Sequence, residues 1–381
     1  MKILIIMSGF FPGKKYGGPP VSVDNFCSLM AEHECYIITH DHDLREKKRY
    51  EGIQNGWNER ENCKVCYSSD TEYNVHTFEK AIEDIEPDVI YLQGLFQSCV
   101  LPCLQLAKKH SIPVLLAPRG ELCAGALNIK KWKKIPYIEV VKALGLVRNI
   151  HWQSTSDEET EAIKELMKAD DDHIHRLDNI PSIPKHEYPR REKIAGEGRF
   201  VFLSRIHPKK NLLFAISLFK EIEGKAEFDI YGPVEDEEYW KQCQEEIKKL
   251  PENVKVEYKG LVIHDQVHDV FSQYDAFLFP TLSENYGHVI AESLIVGTPV
   301  IISDQTPWND VMIDRNKSAI SLKDSNLFKE LITLIIKMDS LQAQGLYKQT
   351  VDYAMTRMNV ESIKNKYIEE SSKVLIDAQR K

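Results

Sequence analysis

Nowhere in this chain of 381 residues does an apolar run approach the roughly 20 residues needed to cross a bilayer. The first hydrophobic stretch, ILIIM, is too short for a secretory core, and no small-residue cleavage site follows it. A basic excess is missing as well. Against 49 Lys and Arg stand 58 Asp and Glu, a net charge of -9, which argues against a general nucleic-acid binder. The 8 cysteines lack the dense, regular spacing of a disulfide scaffold, so reduced thiols and a cytoplasmic location are expected. Cys63 and Cys66 have zinc-ligand spacing, but no second CxxC or HxxxH pair accompanies them, and CKVCYS alternates like a strand. The run His40, Asp41, His42, Asp43 contains a D-x-D; coming straight after the strand-like CYIIT, it reads as a solvated loop, and no metal is expected.

Two phosphate-binding fingerprints are also absent. The glycine-rich stretch SGFFPGKKYGGPP follows the apolar run KILIIM, where a nucleotide loop would belong. A triphosphate loop needs G-x-x-x-x-G-K-[ST]; here Gly9 to Gly13 is one residue too short and Lys14 is followed by Lys15. No arrangement of Gly9, Gly13, Gly17 and Gly18 gives the G-x-G-x-x-G of a dinucleotide site.

What is present is an alternation of short β-branched runs with amphipathic helical stretches, the pattern of parallel sheets covered on both faces. KILIIMS, ECYIIT, DVIYLQG, IPVLLAP and IHWQSTS form one strand series, and RFVFLSRI, AEFDIYG, VKVEYKG, DAFLFP and TPVIISD form a second. Between them lies NIPSIPKHEYPRREKIAGEG, whose Pro, Gly and charge read as a connector. The expected fold is α/β with two doubly wound domains, residues 1–184 and 197–361. Residues 362–381 form a C-terminal helix that crosses back onto the first domain. Ligands of such sheets bind at the carboxyl ends of the strands, so the site is expected in the cleft between the domains.

The most specific motif is TLSENYGHVIAESLIVGTPVI, in which seven residues separate Glu284 from Glu292 and Gly287 marks the passage from loop to helix. The start of that helix offers free N–H groups and partial positive charge to an anionic group. SRIHPKKN places Arg205, Lys209 and Lys210 at the end of the first strand of the second domain, where a diphosphate would be neutralised.

With these residues the chain resembles the retaining GT4 glycosyltransferases of GT-B fold over nearly its whole length. The resemblance implies that Arg205 and Lys210 bind the donor diphosphate, Glu284 contacts the transferred sugar, and Glu292 contacts the ribose. It implies that groups around Tyr286, Gly287 and His288 hold phosphate and sugar hydroxyls, and that Leu261 and Val262 in YKGLVI cradle the base. In the first domain it points to Arg119 and Gly120 in PRGEL, and to Gly17 and Gly18, whose backbone N–H groups approach donor or acceptor. Gln93 in YLQGLF stands where many relatives carry a histidine. The donor implied is a nucleotide-diphosphate sugar, UDP ahead of GDP, bound without metal.

The segment 128–149, NIKKWKKIPYIEVVKALGLVRN, sets Lys130, Lys131, Lys133, Lys134, Lys142 and Arg148 against the single acid Glu139. Interleaved with Trp132 and Tyr137, it reads as a face for anionic lipid at the inner side of the membrane. That fits transfer of a hexose or N-acetylhexosamine to a polyprenyl-diphosphate-linked saccharide in surface-polysaccharide (O-antigen or capsule) synthesis. The rival readings are a nucleotide-sugar epimerase of the same architecture and a non-catalytic saccharide-binding protein.

Overall fold

A computed structural model describes all residues except 148, 149, 183, 185, 380 and 381; the expected basic segment and C-terminal helix therefore each end partly outside the described residues. The chain divides into two compact units, Met1–Ile180 with Val360–Lys381, and Pro181–Asn359.

Unit 1 runs β1 (Lys2–Ile6), α1 (Gly18–Leu29), β2 (Glu34–His40), β3 (Trp57–Glu59), β4 (Lys64–Ser68), α2 (Val75–Ile85), β5 (Val89–Gln93), α3 (Val100–His110), β6 (Val114–Ala117), α4 (Ala124–Leu127), α5 (Lys131–Ala143), β7 (Ile150–Ser154), α6 (Asp157–Met167) and β8 (Ile174–Arg176). The sheet order is β3-β4-β2-β1-β5-β6-β7-β8, parallel except for the edge pair β3–β4. Strands such as KILII and VIYLQ are apolar almost throughout because both faces are covered. One face sends Leu4, Ile6, Ile90, Leu92 and Trp152 into a core with α2, α3, α5 and α6. The other sends Ile3, Ile5, Ile37 and Tyr91 against α1. CKVCYS is a strand, and its cysteines are free thiols.

Unit 2 runs β9 (Glu197–Leu203), α7 (Leu212–Ser217), β10 (Lys225–Tyr231), α8 (Glu237–Ile247), β11 (Val254–Gly260), α9 (Val267–Ser272), β12 (Ala276–Phe279), α10 (His288–Ile295), β13 (Val300–Ser303), the short pair β14 (Met312–Ile313) and β15 (Asn316–Lys317), β16 (Ala319–Ile320), α11 (Ser325–Lys337) and α12 (Ser340–Met358). Its sheet, β11-β10-β9-β12-β13-β16, is wholly parallel, and strand order reverses between β9 and β12. That reversal opens a crevice at the carboxyl ends of β9 and β12, the position where doubly wound sheets bind ligands.

The connector is held to unit 2, with which Pro181 onward packs. Arg190 donates to Val296 O at 3.0 Å, Thr298 Oγ1 at 2.9 Å and Tyr274 O at 2.7 Å, and its guanidinium lies 3.7 Å from the centre of the Tyr347 ring. A buried guanidinium has to satisfy its donors, and those carbonyls fix the segment. One sequence expectation needs correction: His40 to Asp43 is no solvated loop, because His42 and Asp43 are buried. Asp43 accepts from the backbone N–H groups of Lys14, Lys15 and Leu44 at 2.8, 3.0 and 2.9 Å.

The last helix, α13 (Val360–Gln379), packs against unit 1 on the α1 face. Tyr367 is buried there, accepting from Gln153 Nε2 at 2.8 Å and donating to Asp178 O at 3.0 Å.

Candidate active site

Strand β9 ends at Leu203, and the chain then turns through Ser204 to Lys210 before α7. Strand β12 ends at Phe279 and passes through Pro280 to Gly287 before α10. The two connections are tied directly at the reversal point. Leu282 N donates to Lys209 O at 2.9 Å, and Asn211 Nδ2 donates to Pro280 O at 3.0 Å. This backbone tie brings Lys210 and Glu284, 74 positions apart in sequence, into a direct hydrogen-bonded ion pair. Both side chains are largely buried, and desolvation holds the Lys210 ammonium below its usual pKa against the upward pull of Glu284.

Gly287 sits at the start of α10 with φ 79°, a left-handed conformation that a Cβ would strain, and an added Cβ would meet Ile290 Cδ1 at 2.9 Å. No side chain caps this helix, so its first N–H groups remain directed out of the N-terminus. The preceding turn is held by Trp308, whose Nε1 donates to Tyr286 O at 2.6 Å with the two rings 5.5 Å apart. His288 stacks edge-on against Tyr286 at 4.9 Å.

Glu292 lies one turn into α10 and is buried; desolvation raises its carboxyl to about 7. Its Oε1 lies 3.7 Å from His264 Nδ1. His264 was not among the residues the sequence motif named, although it follows Leu261 and Val262 by only a few positions in GLVIHDQ. Leu261 is exposed, and Val262 packs on the core.

Arg205 forms an ion pair of its own. Its side chain turns to Glu235, with Nη1 2.8 Å from Oε2, and stays partly exposed instead of joining Lys210 and Glu284.

In unit 1 the reversal lies between β1 and β5, and the candidate residues there are mostly engaged with each other. Arg119 Nε donates to Gln93 Oε1 at 2.9 Å, Nη1 to Asn179 Oδ1 at 2.7 Å and Nη2 to Tyr91 Oη at 3.1 Å. Gly120 N donates to Glu159 Oε1 at 2.5 Å. Arg119 and Gly120 therefore brace the strand ends, and the three bonds of Arg119 use three of its five N–H donors. Gln93 is fully buried, and its Nε2 has no hydrogen-bond partner among the described residues. Gly17 and Gly18 are exposed at the start of α1, with open space where a Cβ would stand on Gly17. Lys14 and Lys15 do not form a phosphate cradle: Asp43 takes their backbone N–H groups, and Lys15 Nζ pairs with Glu46 at 2.5 Å.

Unit 2 thus combines a parallel sheet of the 3-2-1-4-5-6 order with an acid-and-lysine pair at its reversal beside an uncapped helix, and the fold is that of the GT-B proteins. Residues 185–354, most of unit 2, match the family described as glycosyl transferases group 1. An uncharacterized 41.2 kDa protein in the cps region of Klebsiella pneumoniae is 24% identical over 260 residues, 64% of this chain and 68% of that one. Sucrose-phosphate synthase from Thermosynechococcus elongatus shares the fold with a TM-score of 0.73 at 14% identity, over 99% of both chains. HepE from Anabaena, solved with UDP and glucose, does so with a TM-score of 0.68 at 14% identity, over 98% of this chain and 99% of that one.

Proposed function

We propose that the protein is a retaining hexosyl- or N-acetylhexosaminyltransferase that moves its sugar from a nucleotide diphosphate to a saccharide acceptor. The observation that carries the reading is the Lys210–Glu284 pair set beside the uncapped start of α10, with Glu292 buried one turn further along. Negative charge grows on the leaving diphosphate as the glycosidic bond breaks, so fixed positive charge at that point accelerates the reaction. Lys210 and the N-terminal dipole of α10 supply it, and Arg205 joins them by leaving Glu235 when a diphosphate offers a better partner. No divalent metal is needed at the diphosphate on this account. Glu284, held by Lys210, contacts the transferred sugar, and Glu292 grips the ribose. The leaving phosphate accepts the acceptor's proton on the face from which it departs, which retains configuration.

HepE's complex with UDP and glucose supports a UDP donor, with the base lying on Leu261. The cps-region relative supports an acceptor in surface-polysaccharide assembly. A lipid-linked acceptor at a membrane surface is favoured by α5 and its flanks, where Ile129, Trp132, Val140 and Leu144 are exposed among Lys130, Lys131 and Lys133. Lys134 does not share that face: its Nζ donates to Ala126 O at 2.8 Å and sits over the Phe96 ring. Among the described residues no helix is long and apolar enough to cross a membrane, so contact through this face would be peripheral.

Thermal shift against UDP, GDP, ADP and their sugars identifies the donor, because a ligand that binds only the folded state raises its melting point. Incubation of that donor with a saccharide acceptor then separates the readings. Acceptor-dependent nucleotide release supports transfer, an epimerised donor supports the epimerase, and no binding of any nucleotide overturns both.

A further inference from the structure

We infer that His40, His42 and Asp70 form a binding site for a divalent transition-metal ion of zinc type, at the carboxyl end of the unit 1 sheet. His40 is the last residue of β2, and His42 follows two positions later in extended backbone that bridges to Arg49. The two-residue strand period sets both imidazoles on one side. Strand β4 pairs with β2 in register His40–Ser68, so Asp70, two residues beyond Ser68, arrives beside them. The three donors lie within 4.8 Å of one another. Asp70 Oδ1 is 3.6 Å from His40 Nδ1 and 3.4 Å from His42 Nε2. Ligand bonds of about 2.0–2.1 Å in a tetrahedron set neighbouring donor atoms about 3.3–3.4 Å apart, so these separations need little adjustment to hold an ion.

Two further features prepare the donors. His42 Nδ1 meets Asp41 Oδ1 at 2.9 Å, the carboxylate support that fixes the tautomer and leaves Nε2 as the lone-pair donor. His40 is held by the Tyr73 ring at 4.0 Å, and its buried Nδ1 has no hydrogen-bond partner among the described residues. A buried ring nitrogen without a hydrogen bond is costly unless something binds it. Two imidazoles and one carboxylate leave the fourth tetrahedral position to water. The ion would join the ends of β2 and β4 one residue from Asp43, which anchors the glycine-rich loop, and so would stiffen that loop. The site lies in unit 1 and the Lys210–Glu284 pair in unit 2, and the inference is independent of the proposed activity.

The test uses the full chain, stripped with EDTA, desalted, and titrated calorimetrically with ZnCl2 and spectroscopically with CoCl2. One tight equivalent per chain is expected, with the visible absorption of four-coordinate cobalt and a raised melting temperature. Asp70→Asn changes an exposed side chain outside any strand and should fold normally while weakening zinc at least 100-fold. Asp41→Asn keeps all three ligands and should weaken it about 10- to 100-fold. Substitution of Glu79 and His110, the second grouping of metal-ligand side chains, should leave binding unchanged. Absence of tight zinc binding in the folded protein, or Asp70→Asn and His42→Ala proteins that bind as tightly as the wild type, would overturn the assignment.

Discussion

If Glu292 receives the ribose hydroxyls of the donor, donor affinity has to rise with pH across neutrality. The carboxyl is buried, and desolvation raises it to about 7, so in the free protein at pH 6 roughly one molecule in ten carries it ionised. Hydroxyl donors favour the carboxylate form, and binding must therefore expel the proton. The apparent Kd scales as one plus ten to the power of pKa minus pH, which gives about tenfold weaker binding at pH 6 than at pH 8. The same shift acts on folding with a definite sign. The folded pKa lies above the unfolded value, so this contribution is complete at pH below about 4.3 and is lost as pH rises through 7, a loss of about 3 kcal/mol. Calorimetric titration with the nucleotide sugar chosen by thermal shift, at pH 6, 7 and 8 in two buffers of different ionisation enthalpy, measures both affinity and proton release. A sugar nucleotide is used because its diphosphate diester does not titrate in this range. Glu292→Gln keeps the shape and should abolish the slope and the proton release together. His264, 3.7 Å away, favours the carboxylate when protonated, so His264→Ala should steepen the slope. A wild-type Kd that varies less than twofold, or a slope that survives in Glu292→Gln, refutes the assignment of Glu292 to the ribose.

Lys210→Ala leaves Glu284 largely buried without its partner and removes charge from the leaving group, so both donor affinity and turnover should fall, turnover by about 30- to 1,000-fold. Glu284→Gln should lower kcat more than it raises donor KM in steady-state assays, and equal effects on both would place it outside the reacting centre. Charge reversal of Lys130, Lys131 and Lys133 with Trp132→Ala should release the protein from anionic vesicles at low salt, as judged by co-sedimentation; retained binding would remove α5 from the membrane account. Gly287→Ala forces a left-handed alanine against Ile290 and should cost about 1–2 kcal/mol, read as a lower denaturation midpoint. Tyr367→Phe strands the buried Gln153 amide and should cost about 1–3 kcal/mol of unit 1 stability by the same assay.

The alternation of apolar runs and amphipathic stretches was enough to read both sheets, because strands buried on two faces leave an unbroken β-branched signature. The paired glutamates and the Arg205–Lys210 stretch located the site for a related reason: strand ends and helix starts are fixed by short, local patterns. What a sequence carries poorly is which partner a charged side chain selects. Arg205 pairs with Glu235, and Arg119 with Gln93, Asn179 and Tyr91, through partners 30 and up to 60 positions away that no local pattern names. Asp43 was misread for the same reason, since its three backbone donors come partly from a loop 29 residues earlier. His264 was passed over because a lone histidine after a strand has no pattern that marks it; only the burial of Glu292 opposite gives it meaning.

Helix α13 follows all of unit 2 in the sequence and yet belongs to unit 1. During synthesis the ribosome must deliver roughly 180 residues between the last strand of unit 1 and the helix that covers one face of its sheet, about 10–40 s at ordinary elongation rates. Unit 2 has all its elements in one continuous stretch and can finish folding in that interval, while the unit 1 face holding Tyr91 and Gln153, covered only in part by α1, waits for Tyr367. The first half of the chain to emerge is thus the last to be completed. A chain cut after Asn359 should retain a cooperative unit 2 transition while unit 1 unfolds early or aggregates, and a separate peptide of residues 360–379 should restore it.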